Sequence, residues 1–134
     1  MSHVLGIGVD VVEVERITTT IRRFGDRFLD RIFTAGEQEY CRRKAYPAEH
    51  LAARFAAKEA VLKALGTGWT GQAGFQDVEI VRAANSAPQA VLSLRVRRLL
   101  PPGAARVWLS ISHTERYALA QALITIDDDA HRSV

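Results

Sequence analysis

The sequence predicts an α+β fold in which a small antiparallel sheet packs against a long central helix and shorter helices. Three patterns carry this prediction. Residues 50–65 repeat apolar side chains at helical spacing, residues 106–112 alternate apolar and polar side chains, and residues 117–126 return as a second strand. With 134 residues, 48% of them hydrophobic and 25% charged, the chain has the composition of one globular domain. We assign the domain to residues 1–126 and a polar tail to residues 127–134.

Composition and charge argue against several classes of protein. No apolar run approaches the roughly 20 residues that span a bilayer, and residues 1–4 lack the basic and apolar segments of a signal peptide, so we expect a cytoplasmic protein. Cys41 is the only cysteine and has no cysteine or histidine at metal-ligand spacing, which argues against a disulfide or a zinc site. The formal net charge of +3, carried mainly by arginine, suits an anionic partner without requiring nucleic acid.

The first predicted strand covers residues 4–9 and contains Gly6 and Gly8. Glycine inside a strand often marks close approach by another backbone or by a ligand. Asp10 ends the strand. A carboxylate there is either a cap or turn residue for the next element or, with a second acid from elsewhere in the chain, a metal ligand.

Residues 11–32 show helical periodicity, and Gly25 is expected to divide them into two helices. One edge of the apolar stripe carries a row of arginines: Arg16, Arg23, Arg27 and Arg31. Such a row is either a solvated flank or a docking surface for an acidic protein.

The central helix is predicted over residues 50–65, after a capping-box helix at residues 34–43 and a break at Tyr46-Pro47. Gly66 stands at the expected left-handed C-terminal cap. Lys58 falls inside the apolar stripe, where it is a snorkelling stem, a subunit contact or a ligand contact. Glu59 and Lys63 share the alanine side of the helix. They are either an ordinary surface ion pair or, if a small polar ligand approaches that side, part of a site.

The second half of the chain predicts short elements. The glycine-rich stretch at 67–74 lacks the phosphate-loop and dinucleotide patterns. Strands are predicted at 75–82 and 90–96, with a turn at 85–88 between them and a helical turn at 97–101 after them. In the strand at 106–112, Trp108, Ser110 and Ser112 share one face. His113 begins the following turn at 113–116, where a histidine is commonly a backbone-bonded turn residue.

Three segments, taken together, resemble one known family. They are Gly6-Ile7-Gly8-Val9-Asp10 with Glu13 and Arg16-Ile17, Arg54-Phe55-Ala56-Ala57-Lys58-Glu59-Ala60 with Lys63-Ala64-Leu65-Gly66, and Ser110-Ile111-Ser112-His113-Thr114. In this order and spacing they resemble the holo-acyl-carrier-protein synthases, the small bacterial branch of the 4′-phosphopantetheinyl transferases. The resemblance runs from about residue 4 to about residue 126.

The resemblance implies the 4′-phosphopantetheinyl transferase fold and transfer of the phosphopantetheine arm of coenzyme A to a serine of an apo acyl carrier protein. Adenosine 3′,5′-bisphosphate would be released, in support of fatty acid biosynthesis. By position, Asp10 and Glu59 would hold Mg²⁺, and Lys63 would contact the pyrophosphate. The coenzyme A site would contain Arg54, Lys63, Gly66, Ser112 and His113.

The same resemblance assigns the remaining roles. Glu59, directly or through a water bound to the metal, is our choice of general base, and Asp10 is then a pure ligand. Arg16, Arg23 and Arg27 would meet the acidic carrier protein. A homotrimer with active sites at the subunit interfaces is expected, without nucleic-acid or membrane partners.

Two other classes of function stay open at the level of the sequence. An arginine-rich module that binds nucleic acid or an acidic protein explains the basic row but gives Asp10, Glu59 and His113 no role. A Mg²⁺-dependent phosphohydrolase would use the same two acids with water as nucleophile. Release of adenosine bisphosphate from coenzyme A without a carrier protein would indicate the hydrolase.

Overall fold

The structure is a computed structural model that describes residues 2–66 and 73–127. Most of the predicted loop at 67–74 and the tail after Asp127 lie outside these residues. The helices are α1 Val14–Phe24, α2 Asp26–Ile32, α3 Ala35–Arg42, α4 Pro47–Leu65 and α5 Leu94–Leu99. The strands are β1 Ser2–Glu13, β2 Val78–Val81, β3 Gln89–Leu92, β4 Ala104–His113 and β5 Tyr117–Asp127, with a 3₁₀ turn at Phe75–Asp77. The α+β class is confirmed.

The main sheet is antiparallel, in the order β1-β5-β4, and it packs on α4. The first strand is longer than the 4–9 predicted, because its pairing with β5 continues to Glu13, opposite Tyr117. Asp10 therefore lies inside β1, opposite Ala120, and does not cap a helix. The following helix begins at Val14, not at residue 11, and Gly25 (φ +57°) separates α1 from α2 as predicted.

Helix α4 starts three residues before the predicted boundary at residue 50, since Pro47 occupies its first turn, where a missing N–H costs nothing. It ends as predicted at Gly66, whose φ is +71°. The alanine side, which we expected to be open to a ligand, is instead covered by the sheet: Ala52, Ala56 and Ala60 are fully buried. Glu59 and Lys63 lie at the margin of this contact, half-buried and exposed respectively.

The glycines of β1 are explained by this packing. A Cβ atom on Gly8 would lie 2.0 Å from the carbonyl oxygen of Ala60, and one on Gly6 would lie 1.9 Å from that of Ala64. No side chain fits at these distances, so strand and helix touch backbone to backbone. The sequence allowed either another backbone or a ligand beside Gly6 and Gly8, and in the structure the close neighbour is the backbone of α4.

Lys58 does not snorkel. Its side chain is fully buried, and its Nζ donates to Glu37 Oε1 at 2.5 Å. Glu37 also occupies position N3 of the predicted capping box, where its Oε1 accepts from the Thr34 N–H at 2.8 Å. Its Oε2 accepts from the Ile80 N–H at 2.7 Å. One carboxylate thus ties α3, α4 and β2 together.

The region after residue 75 was predicted less well. A 3₁₀ turn replaces the first part of the strand expected at 75–82, and the strand expected at 90–96 is interrupted by Ser93. The Ser93 Oγ accepts from the Val96 N–H at 3.2 Å and caps α5, so the helical turn expected at 97–101 begins at Leu94 instead.

The face of the main sheet turned away from α4 is apolar and open. It carries Ile7, Val9, Val11, Trp108 and Leu119, which are 44–61% exposed. Single exposed apolar residues are ordinary, but a contiguous group on one face indicates an interaction surface. Among the described residues, no helix has both the length and the apolar character needed to cross a membrane.

Candidate active site

Two elements bring three of the predicted site residues together at the contact between β1 and α4. Asp10 comes from β1, and Glu59 and Lys63 come from successive turns of α4. The Lys63 Nζ donates to Asp10 Oδ1 at 3.2 Å and to the Val9 carbonyl at 3.0 Å. Within the described part of the chain, Lys63 therefore pairs with Asp10 and not with Glu59. The surface pair considered from the sequence is not formed.

The pKa of Glu59 is shifted by its burial and by its charged neighbours. Burial raises the pKa of its carboxyl, the nearby Asp10 carboxylate raises it further, and Lys63 opposes both effects. A carboxyl whose charge is disfavoured by burial and by a second carboxylate beside it has the electrostatic character of a cation site. In the described residues no group of three or more His, Cys, Asp or Glu could hold a metal. Two acids with room for water and phosphate oxygens suit Mg²⁺, which rarely takes an all-protein cage.

A cavity of about 410 Å³ opens beside these acids. Asp10, Arg16 and Glu59 line its polar side, and its apolar wall includes Ile17, Phe28 and Phe55. The cavity thus joins the first residue of the arginine row to the acidic pair. It can admit a polar reacting group together with an apolar side chain beside it.

A second cluster of side chains lies around residues 49–54 of α4, one to three turns before Glu59. The Arg54 guanidinium stacks 3.8 Å above the Tyr40 ring, and the Tyr40 and His50 ring centres are 6.2 Å apart. The His50 ring meets the His113 ring edge-to-face at 5.1 Å, and His113 Nδ1 lies 3.6 Å from Glu49 Oε1. We call these five residues the His113 corner. The predicted residues Arg54 and His113 belong to it, although no direct contact joins them.

Arg54 is a buried cation. It is 5% exposed, and its Nε has no hydrogen-bond partner in the described structure. No carboxylate among the described residues pairs with it, so its charge is balanced only by the Tyr40 ring. Buried cations are normally paired, and an anionic ligand would supply the missing partner.

The other predicted coenzyme A residues are placed differently. Gly66 ends α4, one turn beyond Lys63. Ser112 lies opposite Leu119 on the open face of the sheet, whereas His113 lies opposite Ala118 on the face toward α4. One subunit therefore does not bring Ser112 to the His113 corner.

The arginine row is exposed along α1 and α2. Arg23 contacts the exposed Phe24 ring at 5.1 Å, and Arg27 lines a groove of about 310 Å³ with Phe24, Phe28 and Arg31. This groove and the cavity beside the acids share Thr20 and Phe28. The row thus borders an apolar surface that runs to the acidic pair.

The sequence did not reveal the tertiary roles of four residues: Tyr40, Glu49 and His50 of the His113 corner, and Glu37, which pairs with Lys58. Their partners are 10 to 64 positions away in the chain, and none occurs in a pattern that signals a ligand. The sequence showed Glu37 only as part of the capping box, which is a local role at the start of α3.

Comparison with known proteins gives a consistent result. Residues 6–122 match the 4′-phosphopantetheinyl transferase superfamily. A relative from Koribacter versatilis, a holo-(acyl-carrier-protein) synthase, is 47% identical over 122 residues, covering 90% of this chain and 98% of its own.

Solved structures agree with the sequence relatives. The holo-(acyl-carrier-protein) synthase of Neisseria meningitidis is 33% identical, with a TM-score of 0.79 over 91% of this chain and 98% of its own. That of Helicobacter pylori, solved in complex with coenzyme A, is 31% identical, with a TM-score of 0.75 over 88% of this chain and 98% of its own. The fold and the sequence thus indicate the same relatives.

Proposed function

Because this chain belongs to the 4′-phosphopantetheinyl transferase superfamily, we propose that it transfers the phosphopantetheine arm of coenzyme A to a serine of an apo acyl carrier protein, with Mg²⁺. The product is holo carrier protein for fatty acid biosynthesis in the cytoplasm. The observation that carries the proposal is the arrangement along α4. The acidic pair with Lys63 lies at one end of the helix, and Arg54 stands about 13 Å before Lys63 along the axis.

That spacing suits an extended polyphosphate ligand. Arg54 and His113 would bind phosphate oxygens near the start of α4, and the Lys63 ammonium would contact the pyrophosphate near its end. Lys63 is the more mobile partner, because its side chain is 51% exposed and its interaction with Asp10 is exchangeable. We expect it to move from Asp10 toward the phosphate when coenzyme A binds.

Chemistry at the β-phosphorus requires one bond to form and one to break. The serine oxygen of the carrier forms the new P–O bond, and the old P–O bond breaks with its electron pair leaving on adenosine 3′,5′-bisphosphate. Lys63 stabilises the charge that develops on the phosphate oxygens. Glu59 accepts the serine proton, a role favoured by the raised pKa of its carboxyl.

Asp10 and Glu59 are the residues that would hold Mg²⁺. When bound, the ion neutralises phosphate charge and orients the two substrates. The mutual effect of the two carboxylates and the solvent-accessible cavity beside them support this assignment.

The carrier protein would approach over α1 and α2. The exposed Arg16, Arg23 and Arg27 attract an acidic surface, and the apolar groove beside them can receive apolar side chains of the carrier. Such charges mainly accelerate the encounter and set its orientation.

We further propose that the protein is a homotrimer in which the open sheet face contacts other copies of the chain. The apolar residues of that face support the proposal, and an interface there would bring Ser112 of one subunit toward a neighbouring site. Light scattering should give a trimer for the native protein and a monomer for Val9→Lys. A fully active native monomer would overturn the proposal.

The central experiment mixes the protein with coenzyme A, Mg²⁺ and an apo carrier protein, and follows the carrier by mass spectrometry. We expect one added phosphopantetheine arm per carrier, and no addition with Asp10→Ala or Glu59→Ala. Circular dichroism checks that both variants are folded. Unmodified carrier with native protein, or full transfer by either variant, would contradict the proposal.

A further inference from the structure

The two ring nitrogens of His113 have different surroundings. Nδ1 faces Glu49 Oε1 at 3.6 Å, an ion-pair distance rather than a direct hydrogen bond. Nε2 has no hydrogen bond among the described residues. The His113 side chain is 31% exposed and that of Glu49 is 22% exposed, so solvent screens their interaction only in part. The ring therefore has one side facing a carboxylate and the other available to a ligand.

His50 occupies the space behind the His113 ring. The two rings meet edge-to-face at 5.1 Å, and His50 is itself backed by Tyr40 at 6.2 Å. Burial lowers the pKa of His50, and His113, Lys44 and Arg54 lower it further against the opposing effect of Glu49. The lowered pKa favours the neutral form of His50, whose ring packs edge-to-face against His113.

Together with the neighbouring Lys44, the His113 corner carries two permanent cations, Arg54 and Lys44, against one acid, Glu49. Lys44 lies 4.5 Å above the Tyr40 ring, on which Arg54 also stacks. Apart from Glu49, no acid among the described residues makes an ion pair within the corner. A phosphate oxygen at Nε2 would need a donor there, and an imidazole with a proton on each nitrogen can serve Glu49 and the phosphate together.

We propose that Glu49 and His50 are positioning residues that hold His113 for phosphate binding. Glu49 faces Nδ1 and fixes which nitrogen points outward, while the His50 ring fixes the plane of the imidazole. The inference rests on the proposed function, because the phosphate is that of coenzyme A. Neither residue touches the acidic pair, so each acts on co-substrate binding and not on the chemical step.

The test uses Glu49→Gln, which keeps the size of the side chain and removes its charge. Isothermal titration should show the Kd for coenzyme A rising about fivefold, as expected for one partly screened ionic contact worth about 1 kcal/mol. The KM for coenzyme A should rise in parallel and kcat should change little. Glu39→Gln is the matched control: it removes one acid of an exposed pair with Arg42 and Arg43, and we expect an unchanged Kd.

A double-mutant cycle tests whether the effect passes through His113. In a His113→Ala background, Glu49→Gln should no longer weaken coenzyme A binding. An equal weakening in both backgrounds, or no weakening in either, would overturn the inference. Long-range proton–nitrogen NMR provides a direct readout, since Glu49→Gln should change the His113 nitrogen shifts before any ligand is added.

His50 is tested by a pair of substitutions. His50→Phe keeps an aromatic edge against His113 and should retain the native Kd, whereas His50→Ala should weaken coenzyme A binding severalfold. Weakening by both variants to the same extent would refute a role based on ring packing. If native protein binds coenzyme A and His113→Ala weakens that binding, the proposed site stands even if both positioning residues prove inert. If native protein does not bind coenzyme A at all, the proposed function itself fails.

Discussion

Replacing Lys58 by methionine should destabilise the fold without touching any group assigned to the chemistry. The ammonium and the Glu37 carboxylate are both fully buried, with Nζ and Oε1 2.5 Å apart. Removing one partner of a buried pair leaves an uncompensated charge and typically costs about 3–5 kcal/mol. Glu37 would keep its bonds from the Thr34 and Ile80 N–H groups, so we expect the lower end, about 3 kcal/mol. That is a large part of the roughly 5–15 kcal/mol that stabilises most domains.

Urea unfolding of four variants, Lys58→Met, Glu37→Gln, the double variant and Arg43→Met, measures this value. Lys58→Met alone should lower the midpoint strongly with an unchanged slope, whereas Glu37→Gln with Lys58→Met should recover part of the loss, because no charge is left buried. The exposed pair Glu39 and Arg43, 3.0 Å apart, is the control, and Arg43→Met should cost less than about 1 kcal/mol. A loss below about 1 kcal/mol for Lys58→Met, or strictly additive effects in the double variant, would refute the reasoning.

Three further predictions follow from the structure. Gly8→Ala should cost about 3 kcal/mol or more in urea unfolding, because its Cβ meets the Ala60 carbonyl, while Gly74→Ala should cost little, because its Cβ would lie at an ordinary contact distance of 4.0 Å from Asp77 Oδ2; equal effects would contradict the packing argument. Burial raises the pKa of Asp77, but bonds from Gly74, Arg95 and Ser93 outweigh it and lower the pKa below its ordinary value, so the stability that Asp77→Asn removes at pH 7 should be lost as the pH falls through that lowered pKa; a stability difference that does not shrink at all on acidification would argue against it. Arg16→Glu with Arg23→Glu should raise the KM for carrier protein with little change in the affinity for coenzyme A, and unchanged carrier kinetics would remove these arginines from the docking surface.

The sequence correctly predicted those features of the fold that depend only on residues close together in the chain. The capping box of α3, the break at Gly25 and the alternation of β4 each depend on neighbouring residues, and each is present in the structure. The start of α4 and the length of β1 depend instead on tertiary contacts. Pro47 is read equally well as a break or as a first helical residue, and β1 continues only because β5 lies alongside it.

The candidate site likewise contains residues that the sequence predicted and residues that it did not. Asp10, Glu59 and Lys63 were named from motifs, and the fold brings them to one place. The role of Lys58 could not be predicted, because helical periodicity shows that a side chain is buried but not which residue neutralises it. Tyr40 and His50 were missed for a related reason: an edge-to-face contact between rings on different elements leaves no periodic pattern in the sequence.

The glycines of β1 bear on how the protein can change under selection. Gly6, Gly8 and Asp10 point to the same side of the strand, and the first two let the strand lie against the backbone of α4. Main-chain contact therefore sets the distance between the strand that carries Asp10 and the helix that carries Glu59. A mutational screen for transfer activity should find Gly6, Gly8, Ala60 and Ala64 nearly as intolerant as the two acids. Such a screen would not distinguish the glycines and alanines of this contact from the two acids of the proposed metal site.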